Sequence, residues 1–194
     1  MAHTARRSVF VLTYKGLPQT PCSASVTGAG GLDQAIDLEY ANNVLGTATA
    51  TAIFPGDANH AGDAASTTLL VACAWSGFLQ PINDTGHEGV GVESRFHAGQ
   101  TIPATFLLMD ASGNTVTHDS APTFSRSANR GSCGDTTVAE AVADVDPSNG
   151  STFDWAGGKY HFNWSTTGLA PGEYRIFANL ADGTRRSVDV CLTR

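Results

Sequence analysis

The stretch LAPGEYRIFANLADGTRRSVDVCL, residues 169–192, decides the fold. It reads as two alternating strands around Asp182-Gly183, a pair that favours a two-residue type I′ hairpin turn. With Ala181 facing Thr184, counting outward places Phe177 opposite Val188 and Tyr174 opposite Cys191. The register is a sharp expectation, because side chains alternate between faces and a slip of one residue exchanges them all.

The same period of two extends outward from this hairpin. GKYHFNWSTT, residues 158–167, puts Tyr160, Phe162 and Trp164 on one face and His161, Asn163 and Ser165 on the other. TFLLMDASGNTVTH, residues 105–118, reads as strand, turn, strand, with Asp110, Gly113 and Asn114 supplying turn chemistry. ASVT, AIDLEY, TATATAIF and STTLLVACAW fill the first third with short runs rich in Thr, Val and Ala between turn residues. Only TTVAEAVADV, residues 136–145, predicts a turn or two of helix. The sum is an all-β chain of two tandem antiparallel, Ig-like β-sandwich domains. Strands become larger and more aromatic after AWSGFLQP, residues 74–81. The expected division is therefore a tail over 1–8, a first domain over 9–75 and a second over 76–194. Trp75 and Phe78 are expected to pack in a short linker.

Composition narrows the function. The 194 residues carry a formal net charge of -7 with no block of like charge, against a partner recognised through phosphate neutralisation such as a nucleic acid. No apolar run approaches the roughly 20 residues of a membrane helix. Near the N-terminus, SVFVLTY follows two arginines but is too short for a signal-peptide core and alternates like a strand. The chain is expected to be part of a larger exported protein. Cys22, Cys73, Cys133 and Cys191 include no CxxC pair, so zinc is poorly supported. Three connectivities are open to them. Cys22–Cys73 with Cys133–Cys191 is the simplest, since the four divide two and two across the boundary; it implies an oxidising compartment. Four buried thiols in a cytosolic protein is the alternative.

Residues 9–75 resemble the bacterial Ig-like repeats of exported and surface-anchored proteins. Tyr14-x-Gly16, PQTP, VTGAGG and GDANH carry the similarity. Residues 76–194 resemble the PxKD module that tends to follow such repeats. WSGFLQPI, AGQTIPATFLLMDASGN, GKYHFNW and GLAPGEYRIFANLADGT carry it. The resemblance implies a spacer, stalk or adhesive module, extracellular or on the cell surface, whose partners are the adjacent domains of its parent protein. One position departs. The PxKD pattern leads one to expect a cysteine near Tyr174; here the cysteine is Cys191, its expected cross-strand neighbour. A bond to Cys133 would then survive with the cysteine moved sideways.

Chemistry-bearing clusters are few. GDANHAGD, residues 56–63, holds Asp57, Asn59, His60 and Asp63. Asp57, Asn59 and Asp63 are candidate cation ligands, but the loop has neither the ligand number nor the terminal Glu of an EF-hand. A polar turn is the simpler account, and the resemblance implies it as well. NDTGHEGVGVESRFH offers Asp84, His87, Glu88, Glu93 and His97, at no known metal spacing and without an HExxH helix. There is no GxSxG elbow, P-loop or GxGxxG, and no cofactor is implied, so the chain does not read as an enzyme. Carbohydrate binding is the most specific alternative: Trp155, in FDWAGGKY, lies by a turn and is a candidate stacking platform for glycans or cell-wall components. Lys15 and Lys159, the only lysines, both sit by turns, so an intramolecular isopeptide bond is not expected.

Overall fold

A computed structural model describes residues 10–84 and 92–194. The chain divides into two compact units, Met1–Cys73 and Ala74–Arg194.

The first unit is built on short residues. Its main sheet has the order β1-β6-β5-β4, formed by Phe10–Thr13, Ala61–Ala72, Gly46–Gly56 and Leu38–Ala41. β2 (Ala24–Thr27) and β3 (Asp33–Ile36) form a separate two-stranded ribbon. The alternating Thr-Ala run of β5 points Ala48 and Ala50 inward, where they meet Leu69 and Val71 of β6. Leu12, Tyr14, Cys22 and Tyr40 pack around them. β1 joins β6 in parallel, Phe10 beside Leu69 and Thr13 beside Ala72.

The second unit is a two-sheet sandwich. One sheet has the order β12-β13-β9-β7: Asp154–Ala156, Lys159–Ser165, Thr101–Met109 and Ala74–Phe78. The other has the order β10-β14-β15-β8-β11: Thr123–Arg126, Gly172–Asn179, Arg185–Thr193, Glu93–His97 and Thr137–Ala139. Rings fill the interior. Phe106 stacks on Tyr160 with centroids 5.2 Å apart, and Phe124 stacks on Phe162 at 4.3 Å. Trp164 meets Tyr174 edge to face at 6.1 Å. Tyr160, Phe162 and Trp164 are all buried, so the alternation of β13 is realised.

The architecture is all-β, and several details depart from expectation. Three pairings are parallel: β1 with β6, β15 with β8, and β8 with β11. The expected helix at 136–145 is instead β11, Thr137 beside Glu93 on the free side of β8. An open edge of backbone donors and acceptors outweighed a weak helical preference there. AWSGF is not a linker but β7, antiparallel to β9. Trp75 and Phe78 accordingly pack on Phe106, at 4.4 and 6.1 Å between ring centroids, inside the second unit's core. After β9, Asp110 closes the expected turn, but the returning chain makes only an isolated bridge, Met109 with Thr115.

The β14–β15 register differs by one residue from the expected one. Ile176, not Phe177, faces Val188, and Tyr174 faces Val190. The loop has three residues rather than two. Leu180 donates to the Thr184 carbonyl at 2.8 Å, and Gly183 donates to Leu180 at 3.1 Å with φ +81°. That is a type I turn followed by a left-handed glycine, the usual three-residue hairpin. Asp182 fixes it, its Oδ1 accepting from both the amide and the hydroxyl of Thr184 at 2.8 and 2.6 Å. As a result Tyr174, Ile176 and Ala178 enter the core, while Phe177 turns outward under the Arg185 guanidinium, 3.4 Å from its ring centroid.

Candidate functional site

Residues 57–60 join β5 to β6, Asp63 lies just inside β6, and both carboxylates turn to their own surroundings. Asp57 Oδ1 accepts the amides of Asn59 and His60 at 2.7 and 2.8 Å, and its two oxygens lie 2.8 and 2.9 Å from His60 Nδ1. Asp63 Oδ1 accepts the amide of Ala64 at 2.8 Å. Of the candidate cation ligands, Asp57 thus engages both oxygens and Asp63 its Oδ1 in local bonds, and Asn59 takes part through its backbone amide. Among the described residues, no three His, Cys, Asp or Glu side chains gather where they could hold a metal ion. The loop is tight because Gly56, at φ +90°, and Gly62 back onto each other's strand; a Cβ on Gly56 would lie 2.8 Å from Gly62 N.

His60 gives that turn a second role. Its Nε2 lies 2.9 Å from the Ala29 carbonyl, so both ring nitrogens face acceptors. Only the imidazolium can donate to both. The Ala29 carbonyl first, and then Asp57, hold its pKa above the ordinary histidine value. In turn the Asn59 amide first, with His60, keeps Asp57 below the usual carboxylate range.

The other expected clusters also resolve into structural bonds. His87 and Glu88 lie outside the described residues. Asp84 is buried and accepts the Phe78 amide at 2.7 Å, and His97 Nδ1 lies 2.7 Å from the Arg194 carbonyl. Asp110 Oδ1 accepts from Ser112 and Asn114 at 2.8 and 2.9 Å. Lys15 is exposed and Lys159 half-buried. Trp155 sits on the edge strand β12, 37% exposed, with its ring edge-to-face on buried Tyr160 at 4.9 Å.

Of the four cysteines, Cys133 and Cys191 are joined, with Cα atoms 5.3 Å apart. Cys22 and Cys73 are not joined to each other, contrary to the simplest pairing. The Tyr40 hydroxyl holds Cys22 through its amide at 2.9 Å, and Tyr40 lies in the row of Ala50 and Thr67. Cys73 follows the end of β6.

The densest constellation was not read from the sequence. It lies on the outer face of the five-stranded sheet, opposite the aromatic core. Across that face, Arg175, Asp189 and Glu93 lie side by side on β14, β15 and β8, with Glu173, Cys191 and Arg95 forming the next row. β10 and β11 occupy opposite edges of this sheet, so the chain between them must cross it. It leaves along β14, where Arg130 donates to Glu173 and Glu173 donates to Gly131. Cys133 then bonds to Cys191 of β15, and the Gly134 amide donates to Glu93 Oε2 of β8 at 3.1 Å. The Glu93 amide finally donates to Thr136, at the entry to β11. Gly172 permits the close start of this path: a Cβ there would lie 2.7 Å from the Gly131 carbonyl.

Charge fastens the crossing as well. Arg130 Nη1 lies 2.8 Å from Glu173 Oε1 and 2.6 Å from Asp189 Oδ1. Arg175 takes Asp189 in a bidentate grip at 2.8 and 2.6 Å. Glu93 lies beneath, 8% exposed, and its Oε1 has no hydrogen-bond partner among the described residues. Burial, reinforced by the nearby Glu173 and Asp189, pushes its carboxyl up, against the Gly134 amide and Arg130. The sequence signals for this face were the pair of cysteines and Glu93, which stands among the candidate metal ligands of residues 83–97. The three acidic residues and two arginines are too far apart in the chain to be read as one group.

The disulfide is compatible with a protein outside the cytoplasm. No helix among the described residues is long and apolar enough to cross a membrane. No family model matches the chain, and no curated protein matches it.

Proposed function

We propose that this chain is a non-enzymatic structural module, a spacer or adhesive segment of a bacterial extracellular or cell-surface protein. The Cys133–Cys191 bond carries this reading. It ties a connector that crosses an entire sheet to the central strand β15 and closes a loop over a sequence separation of 58. Such a closure constrains the unfolded chain and suits a module exposed to proteases and to pulling outside the cell. The Ig-like and PxKD resemblances support the same role. So does Tyr174, whose hydroxyl returns to the Ala170 carbonyl at 2.8 Å, an arrangement also found in Ig-type sandwiches.

Single-molecule pulling tests the reading. The oxidised chain should unfold at high force and withhold the disulfide-closed loop, roughly 200 Å of contour that appears only after reduction. Unfolding of the second unit at low force with the bond intact would remove the mechanical role.

A second reading, an accessory carbohydrate-binding module of a secreted hydrolase, rests on Trp155. Its partial exposure on an edge strand leaves ring surface for a sugar. A glycan array decides it: binding that disappears in Trp155→Ala would favour this reading, and a blank array would retire it.

A further inference from the structure

The connector between β10 and β11 is built unlike the other connections of the second unit. Gly131–Thr136 lies over the sheet, and its bonds to the sheet below are few and identifiable. They are one disulfide to β15, the Glu173 amide of β14 on the Gly131 carbonyl, the Gly134 amide on Glu93, the Glu93 amide on Thr136, and, just upstream, the Arg130 amide on the Glu173 carbonyl and the Arg130 ion pairs. The exposed ion pairs are individually weak. The covalent bond is therefore the main latch. A groove of about 510 Å³, lined in part by Asn129, Ser132, Cys133, Pro171 and Leu192, opens beside it and gives a small thiol an approach on the side of Cys133, while Cys191 is buried.

What lies under the connector favours its release. Glu93 is buried with one carboxyl oxygen unpartnered, a costly arrangement if the group is charged. The groups around it are Glu173 of β14, Asp189 of β15, Arg95 on its own strand and Arg130 of the connector, with Arg175 held by Asp189 and the exposed Asp135 next to Gly134 in the chain. Lifting the connector would hydrate Glu93 and withdraw Arg130 from its two carboxylates.

We propose that Gly131–Thr136 is a releasable strap, latched by Cys133–Cys191 and opened by thiol–disulfide exchange, and that it opens further at neutral than at acid pH. A dithiol supplies the electrons. One of its thiolates attacks a sulfur of the bond and forms a mixed disulfide; the second displaces the remaining cysteine. The dithiol leaves as a disulfide, and Cys133 and Cys191 each become a thiol, two electrons and two protons having been transferred. The pH dependence follows from the raised carboxyl of Glu93. Its closed form holds the proton to higher pH than its open form does, so closure weakens as pH rises from about 4.3 through the closed-form pKa.

Hydrogen exchange on the full chain tests this, with and without dithiothreitol, at about pH 5 and pH 7.5 after correction for intrinsic rates. Mass analysis establishes that the bond is reduced. Peptides covering 131–136 should exchange roughly tenfold faster on reduction, and more so at the higher pH, with β13 and the part of β14 after Glu173 unchanged. Unchanged strap exchange after verified reduction would overturn the proposal. So would a uniform loss of protection through β14 and β15, which would make the bond a folding staple and not a latch. Glu93→Gln should abolish the pH difference in the reduced protein, and its persistence would refute Glu93 as the pH-sensing group. Arg130→Gln provides a second check: it should speed strap exchange in the reduced protein, and an unchanged rate would remove the ion pairs from the closure.

Discussion

The two units solve one problem with different materials. The first packs Ala48, Ala50, Leu69 and Val71 between paired strands. The second interleaves Phe106, Phe124, Phe153, Tyr160, Phe162 and Trp164 between two sheets and adds a disulfide. Buried area scales with side-chain size, and aromatic pairs add some stabilisation beyond area. The second unit therefore has more to lose from a single truncation, and the first relies more on its backbone ladder.

The sharpest way to break that comparison is Phe106→Ala. Phe106 is fully buried and touches Trp75, Phe78, Phe153 and Tyr160. Its loss should cost about 3–5 kcal/mol of the second unit's stability, read by denaturant unfolding with tryptophan fluorescence. All three tryptophans lie in that unit, so the signal reports on it directly. A cost under about 1 kcal/mol would mean that the ring cluster is loosely packed. Reduction comes next. It should speed exchange of the 131–136 peptides roughly tenfold, and hydrogen exchange of the β5–β6 peptides should stay unchanged, because Cys22 and Cys73 are thiols already. In the first unit, Leu69→Ala should cost about 2–3 kcal/mol, towards the low end of its class because small neighbours can close in.

The smallest effects separate the units by pH. His60 has a raised pKa, so its contribution to the first unit is complete below about pH 6.5 and is lost as pH rises through the folded value. Asp57 has a lowered pKa, so its contribution is present above about pH 3.9 and fades as pH falls through the folded value. The clip joining Ala29 to the β5–β6 turn is thus complete only between those limits. Imidazole ¹⁵N shifts should show both ring nitrogens protonated at about pH 6. A neutral tautomer there would contradict the clip. Glu93 acts in the opposite sense to Asp57: the second unit should lose stability as pH rises from about 4.3 through its raised folded value.

Much of the fold could be read from alternation alone. β13, β5 and β2 appear where residues 158–167, TATATAIF and ASVT indicated. Period two was enough because each strand has one buried face. The hairpin at Asp182-Gly183 was legible in existence but not in register. The sequence does not say whether Ala181 belongs to the strand or to the loop, and the Asp182–Thr184 bonds decide it. That slip removes Tyr174 as the neighbour of Cys191, which faces Glu173 instead. The Cys133–Cys191 bond forms for another reason: the connector is carried across the sheet.

The candidate site shows the same limit. GDANHAGD was visible as a dense polar loop because its bonds are local, apart from the reach of His60 to Ala29. The Glu93–Arg130–Glu173–Asp189 face was not visible, since it draws on three strands and a crossover. For β2, β5 and β13, sequence alone determined where the strand runs and which side chains alternate, because those depend on neighbours a few residues away. Tertiary structure decided which edges β10 and β11 occupy, and so which charges share a face and which cysteines meet. Those outcomes depend on strand order, to which residues far apart in the chain contribute together.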